Sequence, residues 1–181
     1  MNPSYVNNSY SARTENPLYS INGEGLSIAG KDLVKILRDV LSKGVPFRFQ
    51  TPGFSMSPFI KDGDIVTVTS LPDGSPGIGD VVAFIRPGAE KLVVHRIVGK
   101  KKGSFVIKGD NSPDADGLIP CKNILGCVKK VERQGKKVFL GLGPERFLIA
   151  FLARRNILLP VRYTASKLKR LLMPVTSKTK H

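Results

Sequence analysis

Ser55, His95 and the aspartates Asp110, Asp114 and Asp116 are the side chains of this 181-residue sequence best suited to doing chemistry. A serine hydroxyl is a poor nucleophile until a base takes its proton. The chain has 2 histidines, and His181 belongs to a basic tail, so His95 is the candidate base. A histidine base works best when a carboxylate holds it in one tautomer and stabilises its charged form. The stretch KGDNSPDADG, Lys108 to Gly117, offers such carboxylates. Together these groups could carry out acyl transfer through a covalent serine intermediate.

Each group also has an ordinary reading. Ser55 lies in TPGFSMSPFIKDGD, after a Pro–Gly turn and before Pro58, which keeps the chain from continuing as helix. A serine there can simply cap a turn. His95 sits in VVHRIV, where alternation puts Val93, His95 and Ile97 on one face and Val94, Arg96 and Val98 on the other. A histidine among β-branched residues is either a satisfied core histidine or a base in a rigid, partly dry setting. The aspartate stretch reads as a Gly/Pro loop, either solvated or supplying the carboxylate that orients His95. It lacks the terminal glutamate of an EF-hand calcium loop.

The elements around these residues set where they can go. GKDLVKILRDVLSKG places Leu33, Val34, Ile36, Leu37, Val40 and Leu41 on one helical face, with Gly44 as the stop and Pro46 beyond it. From there to about Leu140 the pattern is strand-like: PFRFQT alternates, DIVTVTSL and GDVVAFIRP are β-branched runs, and KLVVHRIVGK, SFVIKGD, ILGCVKKVERQ and KKVFLGL follow. Gly, Pro and Asp separate them, which predicts a mainly β (α+β) fold built on a barrel or coiled sheet. The chain therefore divides into a flexible arm over 1–26, a β-rich domain with a leading helix over 27–143, and a basic amphipathic helical extension over 144–181. The extension contains PERFLIAFLARRNILL and YTASKLKRLLMP. These helices either pack on the sheet or lie at an anionic membrane surface, apolar side in.

Net charge is +15, from 29 Lys+Arg against 14 Asp+Glu, and the excess builds up after Lys91. That balance suits an acidic partner surface. Cys121 and Cys127 are too few for a disulfide framework and have no accompanying zinc ligands, so they read as packed thiols. The polar start of the sequence does not read as a signal peptide, and no apolar run of about eighteen residues predicts a membrane span. A cytoplasmic or peripheral membrane location is the expectation.

The blocks GFSMSP followed by DGD, then GDVVAF, VHRIV and KGDN…D, occur in that order between Gln50 and Val131. In order and spacing they resemble the type I signal peptidase family. The closest likeness is to the Ser-His-Asp branch of archaea, the endoplasmic reticulum and some spore-forming bacteria. The commoner bacterial branch and the related LexA-like self-cleaving repressors have lysine where this chain has His95. The resemblance implies Ser55 as nucleophile, His95 as general base and Asp116 as the catalytic aspartate. It implies that Asp110 shapes the site and that Met56 and Pro58 fix the nucleophile turn. It further implies a signal-peptidase/LexA-like β core, an extended protein or peptide substrate cleaved after small residues, and no metal or cofactor.

Two departures stand out. Gly53 occupies the position where membrane signal peptidases carry a serine that assists the oxyanion, and the family's N-terminal anchor has no counterpart in the sequence. A LexA-like self-processing module, with Ala29–Gly30 as its bond, and a non-catalytic basic binding domain are the alternatives. No helix-turn-helix precedes the β region, which argues against nucleic acid as the partner.

Overall fold

A computed structural model describes residues 30–71, 75–89 and 91–158. The arm expected over 1–26 and the helix expected in YTASKLKRLLMP lie outside the described residues. The first helix, α1, spans Gly30–Ser42 and carries Asp32 in its first turn, where a negative charge favours the helix dipole. Leu33, Leu37 and Leu41 recur every four residues and are buried, as the apolar stripe predicts. The helix ends at Gly44, whose φ of +71° suits glycine and whose N–H bonds the Leu41 carbonyl at 3.0 Å.

Eight strands follow: β1 (Phe47–Gln50), β2 (Ile65–Thr69), β3 (Val81–Arg86), β4 (Lys91–Lys101), β5 (Ser104–Lys108), β6 (Ala115–Pro120), β7 (Ile124–Arg133) and β8 (Lys136–Val138). A second helix, α2, spans Arg146–Arg154. All strand pairs are antiparallel, in the order β1-β2-β7-β3-β4-β5-β6, with β8 on β7. The fold is thus mainly β, a curled half-barrel sheet with two helices. Register shifts at Thr67/Val68, Ala83/Phe84, Ile97/Gly99 and Ile107/Lys108 interrupt the ladders. Such bulges bend strands and increase their twist.

The core sits in two main parts. Leu33, Leu37 and Leu41 of α1 pack with Phe47, Phe49, Val66 and Val68. Leu37 is 0 % exposed, and burying a side chain of that size is worth roughly 1.5–3 kcal/mol relative to leaving it in water. Phe84, Ile97, Phe105 and Ile107 form the second part. Ala150 and Ala153 of α2 close over Val98, so the start of the expected C-terminal extension packs on the β domain. Cys127 lies in the second core, and burial pushes its thiol up to about 11, well away from reactivity at neutral pH.

One element differs from the sequence expectation. Ala115–Pro120 is a strand, β6, where KGDNSPDADG reads as continuous loop. Ala, Asp and Gly are poor strand formers. Pairing along β5 supplies what local propensity lacks.

Candidate active site

The nucleophile turn is held by the DGD that follows it. The Gly53 N–H donates to Asp62 Oδ1 at 2.6 Å. The Thr51 N–H and hydroxyl both donate to the Asp64 carbonyl, at 2.9 and 3.0 Å. The Asp64 carboxylate is buried and accepts the Lys61 N–H at 2.8 Å and two bonds from Arg133, at 2.8 and 2.7 Å. Met56 and Ile60 drop into the first core, anchoring the turn on either side of Pro58. Pro58 itself is exposed, and the Ser57–Pro58 bond is cis. Gly53 has a φ of +92° with open space where a Cβ would stand. A serine there would be strained by the backbone rather than by crowding.

His95 lies on β4, two strands from β6. Arg96 pairs with Lys108, and Lys108 with Ala115. The ladder then skips a residue: Ile107 faces Gly117, which leaves Asp116 as the unpaired bulge residue of β6. A bulge re-aims its side chain, and Asp116 Oδ2 stands 2.6 Å from His95 Nδ1. His95 Nε2 stands 2.8 Å from Ser55 Oγ. The Arg86 guanidinium donates to the other Asp116 oxygen. Burial alone would raise the Asp116 pKa, but the His95 hydrogen bond and the Arg86 charge outweigh it and hold the carboxyl below its ordinary range. An ionised carboxylate can only accept hydrogen bonds. In the neutral ring the proton therefore sits on His95 Nδ1, which leaves Nε2 to accept the Ser55 O–H.

The remaining expected site residues fall into place differently. Asp110 makes no hydrogen bond to His95. It takes two bonds from the fully buried Arg96, at 2.8 and 2.7 Å. Burial pushes the Asp110 carboxyl up and Arg96 opposes that. Arg96 also donates to the carbonyls of Gly79 and Gly141, both at 2.8 Å. Asp114 is exposed.

Three contributors escaped the sequence reading. Gly109 has no room for a side chain: a Cβ would stand 2.7 Å from the Ser55 carbonyl and 3.0 Å from His95 Nε2. Asn111 clamps the turn from its other side, its N–H donating to the Ser55 carbonyl at 2.7 Å and its Nδ2 to the Phe54 carbonyl at 3.1 Å. Both lie in the KGDN block, whose Gly and Asn were the available signal. Arg86 had none, because an arginine at a strand end before proline looks like any solvated charge.

Ser55 and His95 line a groove of about 430 Å³, bounded by Leu33, Phe49, Gly53 and Val94. Over Lys91–Val94, β4 pairs only with β3 among the described residues, so its other edge is open beside the groove. The Ser55 N–H donates to no protein acceptor among the described residues. Nor, among them, is any group of three or more His, Cys, Asp and Glu side chains arranged to hold a metal ion. No protein-family model matches the chain, and no curated protein matches it.

Proposed function

We propose that this protein is a serine endopeptidase of the signal peptidase I type, cleaving an extended peptide after a small residue. The observation that carries the reading is the unbroken hydrogen-bonded series Asp116–His95–Ser55 opening on a groove. His95 Nε2 takes the Ser55 proton as Oγ attacks the scissile carbonyl carbon. The oxyanion meets backbone N–H groups at the turn, that of Ser55 first. The C–N bond then breaks, and the leaving amine takes the proton from His95. A water, deprotonated by His95, attacks the Ser55 ester and releases the carboxylate product, restoring the hydroxyl. The open edge of β4 gives the peptide backbone a strand to pair with. The preference for small side chains rests on the family resemblance.

The test is hydrolysis of extended peptides with small residues before the scissile bond, wild type beside Ser55→Ala. Wild type is expected to cut one bond, and the variant to be inert while melting at the same temperature. Cleavage retained by Ser55→Ala overturns the reading.

Arg86 is a positioning residue in this scheme. Its side chain is 45 % exposed, and partly solvated pairs are weak, so Arg86→Gln is expected to lower kcat only about three- to tenfold. The specific sign is in the pH profile. Losing the guanidinium removes a positive charge beside the His95–Asp116 relay, so the relay takes up a proton more readily and the acid limb of kcat moves to higher pH. An unmoved limb would remove Arg86 from the scheme.

The self-processing alternative has one supporting observation, since Leu33, three residues into α1, lines the same groove as Ser55. Cleavage at Ala29–Gly30 on prolonged incubation would appear as two fragments by intact mass.

A further inference from the structure

The outer surface of α2 takes no part in the proposed chemistry. Ile149, Ala150 and Ala153 are buried against the sheet, yet Phe147, Leu148 and Phe151 on the outward side are 55 %, 60 % and 52 % exposed. A helix that is apolar on both sides calls for a second cover. The turn leading into it adds Phe139, 77 % exposed, and Leu140, 60 % exposed. Of the ten large hydrophobic side chains exposed among the described residues, six fall between Phe139 and Ile157. Clustering of this kind marks an interaction surface, whereas scattered exposed apolar residues do not.

The charge around the cluster identifies what it meets. A cation lies over each of the three aromatic rings of this cluster: Lys137 over Phe139 at 5.1 Å, Arg146 over Phe147 at 4.9 Å and Arg155 over Phe151 at 5.1 Å. From Lys136 to Leu158 the one acidic residue is Glu145. Its carboxylate is engaged by the N–H groups of Gly141 and Gly143, at 2.7 and 3.0 Å. Arg154 reaches the last part of β4, its Nη1 3.4 Å from the Val98 carbonyl, just before the exposed Lys100 and Lys101 at the strand's end and Lys102 in the turn that follows. Apolar rings flanked throughout by cations match the boundary between acyl chains and anionic headgroups. The helix has nine residues, and no helix among the described residues is long and apolar enough to cross a bilayer. A contact of this kind lies in the interface plane.

We infer that the outward face of α2, with the turn before it, docks on an anionic lipid surface. The inference is independent of the chemistry at Ser55. Flotation of the full chain with vesicles of equal parts phosphatidylglycerol and phosphatidylcholine tests it, with pure phosphatidylcholine beside them. Wild type is expected to float with the anionic vesicles only, and to be released as salt rises. The double variant Leu148→Ser/Phe151→Ser is expected to lose on the order of tenfold in partitioning. Both positions face outward, so the variant should keep the wild-type melting curve by circular dichroism. Four results would overturn the proposal: equal flotation of wild type and variant, which would place binding elsewhere in the chain; equal partitioning to neutral vesicles; no flotation at all; or self-association of wild type that the variant abolishes, which would make the cover a second copy.

Discussion

Asp116→Asn is expected to lower kcat about 10,000-fold in a protein that still folds, by analogy with the loss seen when a catalytic aspartate becomes an amide. The reason lies in the partners of the carboxylate. Arg86 donates to one oxygen and His95 Nδ1 contacts the other. An asparagine would turn its one oxygen toward the guanidinium, which can only donate. Its NH2 group would then face Nδ1 and make that nitrogen an acceptor. The ring proton would move to Nε2, and the ring would donate to Ser55 instead of accepting from it. The base would be present but in the wrong tautomer.

Two readouts make the effect specific. Ring-nitrogen NMR of His95 should show the proton exchanged between Nδ1 and Nε2, which a mere loss of packing would not produce. Adding His95→Ala to Asp116→Asn should cost little more than His95→Ala alone, because residues that act as a unit are strongly non-additive. The stability difference between wild type and variant also has a definite sign. The folded-state pKa of Asp116 is depressed. Its contribution is therefore present above the unfolded carboxyl value, near 4, and is lost as pH falls through the lower folded value. Wild type and variant should converge in stability in acid. A variant within tenfold of wild-type activity would exclude Asp116 from the relay.

Arg96→Met is expected to destabilise the fold by about 3–5 kcal/mol, the cost of removing one partner of a buried ion pair. Arg96 is 0 % exposed and makes four hydrogen bonds, two to Asp110 and one each to the Gly79 and Gly141 carbonyls. Methionine fills much of the volume but leaves a buried carboxylate and both carbonyls without their donor. Against a typical domain stability of about 5–15 kcal/mol, that is a large fraction. Arg96→Lys should not rescue it, since an ammonium cannot reproduce the bidentate fork while reaching the carbonyls. The double variant Arg96→Met/Asp110→Leu should cost less than the sum of the single changes, because it leaves no unpaired charge. Urea unfolding midpoints measure all of these. A loss below about 1 kcal/mol for Arg96→Met would mean that the pair is solvated, as surface pairs are. Asp110 adjoins Gly109 and Asn111, which hold Ser55, so loosening the pair should reduce activity as well as stability.

Much of this architecture is legible in the sequence. The period of Leu33, Leu37 and Leu41 marks α1, and alternating or β-branched runs between Gly, Pro and Asp mark every strand except β6. Those signals are local: side-chain shape and backbone preference act within a few residues of themselves. The turn around Ser55 was readable for the same reason, although the tasks of Asp62 and Asp64 in closing it were not. His95 could be placed on a strand face. What covers both faces of that strand could not, since the full burial of Arg96 beneath the turn into α2 depends on distant segments. Residue type and spacing alone leave Asp110, Asp114 and Asp116 equivalent; the family resemblance implies Asp116, and the folded sheet is what brings it to His95. All three are the same residue type in one polar stretch. Only the skipped register between β5 and β6 aims Asp116 at His95, while Arg96 claims Asp110 and solvent takes Asp114. Arg86 joined the site by the same route, through sheet pairing that brings together side chains thirty positions apart. Local propensity and periodicity depend on neighbours in the chain, and the sequence carries them openly. Register, bulges and burial depend on which strands meet, and only the folded sheet settles that.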